Sequence, residues 1–150
     1  MDNQIEKKLH HALNDLSLLH IATDKSVLAR RGLRRVRFYM LRHLYQNPGL
    51  SLSRLSELSF ADGASTSRMV YSMEKEGLLQ RQSKQGDRRS VVLSLTDAGK
   101  ALYEGANAEF EADIQKRFDN IDSDVLANML QSVQSLCDVI SQHRKNQEGT

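Results

Sequence analysis

The chain has 150 residues, of which 39% are apolar and 27% charged, with one Pro, one Cys and no Trp. These values are typical of a globular chain that buries its own core, and they exclude a collagen-like, disulfide-rich or disordered sequence. No stretch has the roughly 20 uncharged apolar residues of a membrane-spanning helix, and the charged start lacks the apolar core of a signal peptide. We therefore expect one cytoplasmic domain over residues 1–150, with no membrane partner.

The net charge of +2 hides an uneven distribution of charge along the chain. Residues 25–92 carry fourteen basic and five acidic side chains, whereas residues 93–150 carry five basic and ten acidic ones. Between Lys25 and Arg54 there are eight Lys or Arg and no Asp or Glu. This separation favours a polyanionic partner for the middle of the chain, and a solvated helix face is the alternative.

The beginning of the chain predicts two helices, because apolar residues recur every three or four positions. In the first helix, over residues 4–28, the apolar stripe consists of Ile5, Leu9, Leu13 and Leu16. In the second helix it consists of Leu33, Val36, Met40 and Leu44. Asn47-Pro48-Gly49 ends the second helix, because Pro disfavours helix in the residue before it and Gly accepts a turn conformation.

Two shorter helices follow, and each begins at a capping residue. Ser51 precedes about two turns of helix with Leu52, Leu55 and Leu58 on one side. Asp62 caps a helix over residues 63–76, which ends at Gly77. One face of that helix is apolar and includes Thr66, Met69, Val70 and Met73, and the opposite stripe is polar with Ser65, Arg68, Ser72 and Lys75. The pair is predicted to form a helix-turn-helix.

After Gly77 the apolar period changes from about 3.6 to 2, which indicates strands. Residues 78–82 and 90–95 are the predicted arms of a β-hairpin, with a turn over residues 83–87. Thr96 then caps a helix that runs to about Phe118, with Leu102, Ala106, Phe110 and Ile114 on its apolar face. Asp122 caps the last helix, where the apolar positions alternate steps of four and three, a spacing that lets two helices share a seam: Leu126, Leu130, Val133, Cys137 and Ile140.

This order of elements predicts a mainly α (α+β) winged helix-turn-helix with a two-stranded β-hairpin wing and terminal helices at both ends. Four segments carry a resemblance to the MarR (multiple antibiotic resistance regulator) family of bacteria and archaea: LRRVRFYMLRHL (33–44), DGASTSRMVYSMEKEGLL (62–79), GDRR (86–89) and LTDAGKAL (95–102). The resemblance implies one MarR-type domain with a DNA-binding lobe over about residues 33–100. It also implies dimerisation helices over about residues 1–30 and 101–146. Arg34 and Arg37 depart from the family, which often has Thr and Gln there.

The polar face of the second helix of the pair is the candidate recognition surface. Arg can form a two-pronged bond with guanine, and Ser can bond base edges or phosphates, so we expect DNA contacts from Ser65, Ser67, Arg68 and Ser72. A solvated helix face is the alternative. The resemblance implies a wing in which Arg89 enters the minor groove and Asp87 orients it, while Lys84 and Arg88 contact phosphates. The alternative for Asp87 and Arg89 is a weak surface ion pair.

Arginines cluster where the second helix begins: Arg30, Arg31, Arg34, Arg35 and Arg37. Three interpretations stay open for this run, namely contacts with flanking phosphates, contacts with the dimer, and exposure to water. The predicted phosphate contacts are Arg34, Arg35, Arg37 and Arg54.

The function that the resemblance implies is sequence-specific regulation of transcription by a homodimer, in most such proteins as a repressor. Its partners would be double-stranded DNA with a pseudo-palindromic operator and a small, often phenolic or aromatic, anion that binds in a cleft and releases the operator. No residue is assigned to that effector. The expected dimer interface consists of Leu9, Leu13, Leu126, Leu130, Val133 and Ile140. Two rival functions are an architectural DNA binder without effector and a protein-interaction module on the same fold.

We expect no enzymatic activity, no cofactor and no metal. The chain has no Gly-rich phosphate loop, and its five His residues lack metal-ligand spacing. Members of the resembling family that sense oxidants often carry a cysteine near the first helix, and this chain has none there, so a peroxide switch is disfavoured. Cys137 is instead predicted to be a buried thiol that packs as a small hydrophobe.

Overall fold

The structure, a computed structural model, describes residues 4–59, 61–84 and 87–148; for residues 84, 87–90 and 148 it describes the backbone alone. In chain order the described elements are α1 (Gln4–Ala29), α2 (Arg35–Gln46), α3 (Leu52–Leu58), α4 (Gly63–Lys75), β1 (Leu79–Lys84), β2 (Asp87–Leu95), α5 (Asp97–Phe118) and α6 (Ser123–Glu148). The chain forms two compact units, Met1–Asp113 and Ile114–Thr150. The predicted fold class is confirmed: a mostly helical chain with one two-stranded antiparallel hairpin.

The core of the first unit is built around α2, which packs against α1, α3 and β2. Its buried side chains are Phe38, Met40, Leu41 and Leu44, and the core also contains Leu55 of α3, Val70 and Met73 of α4, and Leu93 of β2. The predicted apolar face of α2 is wrong at Val36, whose side chain is 45% exposed. Leu33 is buried but precedes the helix. The side of α2 that faces the core therefore includes Phe38 and Leu41 and does not include Val36.

Side-chain caps begin α3, α4 and α5 at the predicted residues. Ser51 Oγ accepts a hydrogen bond from Arg54 N at 3.1 Å, and Asp62 Oδ1 accepts one from Ser65 N at 2.8 Å. Thr96 Oγ1 accepts from Gly99 N at 3.1 Å. These bonds satisfy backbone N–H groups that have no partner within the first helical turn. α2 differs, because Arg34 at its start makes no capping hydrogen bond through its side chain.

The hairpin is longer than the sequence predicts. β1 and β2 pair antiparallel from Leu79 with Leu95 to Lys84 with Asp87, and the register shifts between Ser83 and Lys84. Ser83, Lys84 and Asp87, which the sequence assigned to the turn, thus belong to the strands, and residues 85–86 lie outside the described residues. Leu50 adds an isolated antiparallel bridge to Leu93. This short third partner connects the end of the α2–α3 link to the wing.

The start of α5 lies directly against the entry to the hairpin. A Cβ atom at Gly99 would come within 1.9 Å of the carbonyl oxygen of Leu78, so only glycine fits this approach. Thr96 Oγ1 donates a hydrogen bond to the Gly77 carbonyl at 2.6 Å. Gly77 itself has a φ of 73°, in the left-handed region that favours glycine. The end of α4, the wing and α5 are consequently joined at one backbone junction.

The terminal helices keep much of their apolar surface exposed in the single chain. On α1 the exposed side chains include Ile5, Leu9, Leu16, Leu18 and Leu19, and on α6 they include Val125, Met129, Leu130, Val133, Val139 and Ile140. Cys137 on α6 is exposed as well, so its predicted burial is wrong for the isolated chain. Within residues 4–59, 61–84 and 87–148, no helix has the length and apolar character to cross a membrane.

Candidate nucleic-acid interface

The turn between α3 and α4 is held by a short hydrogen-bond network around one buried side chain. Thr66 is fully buried, as predicted, and its Oγ1 donates to the Asp62 carbonyl at 2.9 Å. The same oxygen lies 3.3 Å from Ser56 Oγ, which donates to the Ala61 carbonyl at 2.6 Å. Because both helices share these bonds, α4 has a defined orientation relative to α3.

The stripe of α4 that faces away from the core carries the predicted DNA contacts. Arg68 and Ser72 are exposed, whereas Ser65 and Ser67 are half-buried. Arg68 Nη2 lies 3.5 Å from Ser65 Oγ, which is the outer limit of a hydrogen bond. The Arg68 guanidinium consequently has donors available for a base or a phosphate. The structure brings the four predicted residues onto one surface, and their DNA contacts stay a prediction.

Both ends of α4 carry an ionised carboxylate. The hydrogen bond from the Ser65 amide lowers the pKa of Asp62, which caps the first turn. At the other end Glu76 forms an ion pair with Arg37 of α2 and accepts a hydrogen bond from Ser72 at 3.0 Å. The hydrogen bond from Arg37 is the main reason that the pKa of Glu76 is lowered. Both carboxylates thus stay charged at neutral pH.

The wing is tied to α4 through its first strand. Arg81 Nε of β1 donates to Glu74 Oε2 of α4 at 3.0 Å. The backbones of Lys84 and Asp87 pair at the far end of the hairpin, and Arg88 and Arg89 follow on β2. The side chains of Lys84, Asp87, Arg88 and Arg89 lie outside the described residues, so their predicted roles at the minor groove remain predictions.

Three members of the arginine run form ion pairs with carboxylates of their own chain. Arg31 Nε donates to Glu109 Oε1 at 2.7 Å, and Arg37 pairs with Glu76. Arg35 Nε lies 3.4 Å from Oδ2 of the fully buried Asp24. Of the other predicted phosphate contacts, Arg54 pairs with Glu57 at 2.7 Å and Arg34 is exposed at the start of α2. Intramolecular pairing is an arrangement that the three open interpretations did not include.

Two pairs on or beside α4 were missed by the sequence analysis. Lys75 Nζ lies 4.8 Å above the ring of the exposed Tyr71, a cation–π contact. Glu76 joins Arg37 to Ser72, as described above. The spacing of four residues between Ser72 and Glu76, and between Tyr71 and Lys75, is a signal that could have found both local pairs. The partner Arg37 lies on another helix and leaves no such signal.

A cavity of about 580 Å³ lies beside the junction of α1 and α2. Its lining combines apolar and cationic side chains: Ile21, Lys25, Ala29, Gly32, Leu33, Arg34 and Arg35. Asp24 lies close by, with its Oδ2 3.4 Å from His20 Nε2 and from Tyr39 Oη. Among the side chains that the structure describes, no group of three or more His, Cys, Asp or Glu is placed to hold a metal ion.

The fold and the exposed polar face of α4 beside a β-hairpin define a winged helix-turn-helix protein. The MarR family model matches residues 33–91, which cover the lobe from the start of α2 into β2. A curated relative, the organic hydroperoxide resistance transcriptional regulator of Bacillus subtilis (strain 168), is 29% identical over 82 residues. That match covers 55% of this chain and 56% of the relative, so the chain spans little more than half of that protein's length.

Solved structures are similar in fold to this chain over a larger part of its length. A MarR family protein from Bacillus stearothermophilus superposes with a TM-score of 0.80 at 17% identity, covering 94% of this chain and 99% of that one. The repressor CouR bound to a 23-mer DNA duplex has a TM-score of 0.76 at 22% identity over 92% and 97% of the two chains. CouR from Rhodococcus jostii RHA1 bound to p-coumaroyl-CoA has a TM-score of 0.75 at 22% identity over 85% and 90%. The predicted resemblance to the MarR family is confirmed.

Proposed function

We propose that this chain is a sequence-specific, double-stranded-DNA-binding regulator of transcription, acting in the cytoplasm as a homodimeric repressor without a catalytic step. The observation that carries the proposal is the exposed polar stripe of α4, which is fixed by the Thr66 network on one side and by the wing on the other. An α-helix presented in this way fits the major groove, and a hairpin beside it reaches the neighbouring minor groove. The DNA-bound CouR structure, which shares the fold, supports this function.

The proposed division of labour separates base contacts from phosphate contacts. The residues that approach the base edges of the major groove are Ser65, Ser67, Arg68 and Ser72. Arg89 enters the minor groove with Asp87 as its orienting partner, and Lys84 and Arg88 bind phosphates. Arg34 is exposed and basic, so it suits a flanking phosphate. The other three predicted phosphate contacts would have to share their charge with a carboxylate of the same chain: Arg35 with Asp24, Arg37 with Glu76 and Arg54 with Glu57.

Two copies of the chain are proposed to bind a pseudo-palindromic operator. The exposed apolar side chains on α1 and α6 support this assembly, because a dimer that covers them removes apolar surface from water, which is favourable. The proposed interface residues are Leu9, Leu13, Leu126, Leu130, Val133 and Ile140. Two recognition helices must be held about one DNA turn apart to read both half-sites, and a dimer fixed by its terminal helices supplies that spacing.

The proposed effector is a small aromatic anion that binds at the α1–α2 cavity. Lys25, Arg34 and Arg35 offer positive charge there, and Ile21 and Leu33 offer apolar surface for a ring. CouR, which shares the fold, binds p-coumaroyl-CoA, a molecule that combines a phenolic ring with negative charge. Because the cavity lies between a proposed dimerisation helix and the DNA-binding lobe, occupancy would alter the separation of the two recognition helices.

Footprinting on the DNA upstream of the gene and its neighbours, with and without candidate aromatic acids, tests the proposal. We expect protection of an inverted repeat and loss of protection with one class of acid. Arg68→Ala and Ser67→Ala should relax base preference by about 1–3 kcal/mol at particular positions if they contact bases. Specific binding that no acid releases would indicate an architectural DNA binder. Equal affinity for all sequences, or no DNA binding, would indicate a protein-interaction module.

A further inference from the structure

Glu76, the residue that follows α4, contacts two helices through its two carboxylate oxygens. Its Oε2 accepts from Arg37 of α2, and its Oε1 accepts from Ser72 Oγ at 3.0 Å. The Arg37 side chain is only 19% exposed, and Glu76 is 44% exposed at the surface of the lobe. A semi-buried guanidinium therefore holds the carboxylate on one side and leaves the other oxygen for the recognition helix.

The chemistry of this contact fixes the direction of the hydrogen bond. Arg37 lowers the pKa of Glu76, so the carboxylate is ionised at neutral pH and can only accept. Ser72 has a single hydroxyl hydrogen, and the bond to Glu76 uses it. The remaining capacity of Ser72 Oγ is to accept a hydrogen bond. An uncommitted serine, by contrast, donates or accepts as its surroundings require.

We propose that Glu76 fixes Ser72 as a hydrogen-bond acceptor toward DNA, so that Ser72 selects a base with an amino group, adenine or cytosine, at the position that it meets. This inference rests on the proposed function. In the major groove adenine N6 and cytosine N4 are the donors, whereas guanine and thymine present acceptors on the same edge. A phosphate would meet a lone pair of Ser72 and the charge of Glu76, both of which repel it. Ser72 is thus a specificity-determining residue, and Glu76 is the residue that positions it.

The orientation of Glu76 also predicts what a single isosteric change does. In Glu76→Gln the amide oxygen takes the place beside Arg37, since a guanidinium has only donors, and the amide NH₂ then faces Ser72. Ser72 would accept from that NH₂, and its own hydrogen would be free to donate to a base. The preference at the contacted position should therefore move from adenine or cytosine to guanine or thymine.

The matched control is Glu74→Gln, on the same helix. Glu74 is 35% exposed and forms an ion pair with Arg81 rather than with a residue of the polar stripe. This variant also removes one negative charge near the end of α4, and the amide oxygen of Gln still accepts from Arg81, so the contact between α4 and the wing is kept. It should tighten or leave unchanged the affinity for all sequences alike, because its effect is Coulombic and carries no base information.

The experiment is selection from a random duplex pool with the full chain as wild type, Ser72→Ala, Glu76→Gln and Glu74→Gln, with circular dichroism to verify that each variant folds. We expect Ser72→Ala to lose preference at one position of each half-site, Glu76→Gln to reverse it there, and Glu74→Gln to keep the wild-type motif. Replacing adenine at that position by purine, which lacks the amino group, should weaken wild-type binding by about fivefold and leave Ser72→Ala unaffected.

The outcomes separate this inference from the function on which it rests. A wild-type chain that selects no motif would overturn the proposed function and, with it, the role of Ser72. A clear wild-type motif that Ser72→Ala leaves unchanged would overturn the inference alone, since Ser72 would then contact no base. A motif that changes with Ser72→Ala but not with folded Glu76→Gln would overturn the role of Glu76, because Ser72 would choose its donor and acceptor roles without the carboxylate.

Discussion

The lobe, which runs from α2 to β2, buries most of its large apolar side chains. The terminal helices α1 and α6 leave many of theirs exposed. In the lobe Phe38, Leu55 and Val70 are completely buried by residues of the same chain. On the terminal helices Leu19 is 68% exposed and Val139 is 64% exposed, although both helices are 26 residues long. The lobe therefore completes its own core, whereas the terminal helices leave large apolar side chains exposed.

This difference shows what an amphipathic period does and does not specify. A spacing of three and four residues predicts that a helix has one apolar face, and it does so equally well for α4 and α6. It does not specify whether the covering surface lies in the same chain. For α4 the cover is the rest of the lobe, and for α6 we propose a second copy of the chain.

The largest expected effect comes from removing α6. Deleting residues 122–150 takes away Leu126, Leu130, Val133 and Ile140 of the proposed interface, so the chain should become monomeric or unfold and lose most of its operator affinity. Analytical ultracentrifugation and operator titration measure both consequences. A truncated chain that sediments as a well-folded dimer would contradict the proposed role of this helix.

The next prediction concerns packing inside the first unit, where α5 meets the hairpin. In Gly99→Ala the new methyl would lie 1.9 Å from the Leu78 carbonyl oxygen, so backbone must move and we expect a loss of about 1–3 kcal/mol in the free energy of unfolding. Gly105→Ala on the same helix is the control, because its Cβ would be 3.7 Å from the nearest atom outside the helix, Arg31 Nη1.

Gly105→Ala should gain about 0.5–1 kcal/mol from the higher helix propensity of alanine. Urea unfolding of both variants measures the contrast. Equal effects of the two substitutions would show that the α5 start tolerates movement away from the hairpin.

Local signals explain why much of the lobe is predictable from the sequence. Ser51, Asp62 and Thr96 cap helices through bonds to residues three positions ahead, and Gly77 ends α4 in a conformation that glycine favours. These features depend only on neighbours in the chain. The order of elements and the winged helix-turn-helix follow from them.

The features that the sequence does not predict depend on residues far apart in the chain. Val36 fits the apolar spacing as well as its neighbours do, yet it is exposed, whereas Phe38 is buried with its ring centroid 5.6 Å from that of Tyr103 and 5.0 Å from that of Phe110 on α5. Arg37 lies on α2 and Glu76 follows α4, so no local sequence pattern predicts their ion pair. A run of arginines looks like a phosphate-binding surface until its carboxylate partners are known.

The wing provides a prediction about binding rather than stability. Arg89→Ala should weaken operator binding strongly if Arg89 enters the minor groove. Asp87→Ala should weaken it too if Asp87 orients that arginine, although removal of a negative charge beside DNA should help on Coulombic grounds alone. Titration of both variants at several salt concentrations separates the explanations, because each lost phosphate contact reduces the slope of log affinity against log salt by about one. Tighter binding by a folded Asp87→Ala would eliminate the orienting role.

The smallest effect sharpens the comparison within the lobe, between two helix caps of different chemistry. Asp62 caps α4 with a carboxylate whose pKa the hydrogen bond from the Ser65 amide lowers below its ordinary value of 3.8. Ser51 caps α3 with a hydroxyl that does not titrate in this range. Because the ionised form of Asp62 is favoured in the folded state, its contribution to stability is complete above the ordinary carboxyl pKa. That contribution is lost as the pH falls through the lowered pKa of the folded state.

Asp62→Asn keeps an acceptor oxygen for the Ser65 amide and removes the charge. The difference in unfolding free energy between wild type and Asp62→Asn should therefore be larger at neutral pH and shrink toward about pH 3. Ser51→Ala should cost about 1 kcal/mol at every pH, because the lost cap carries no proton equilibrium. Urea unfolding midpoints across this range measure both dependences. A pH-independent effect of Asp62→Asn would mean that the start of α4 draws no stability from the charge, and that the hydrogen bond to the Ser65 amide accounts for the cap.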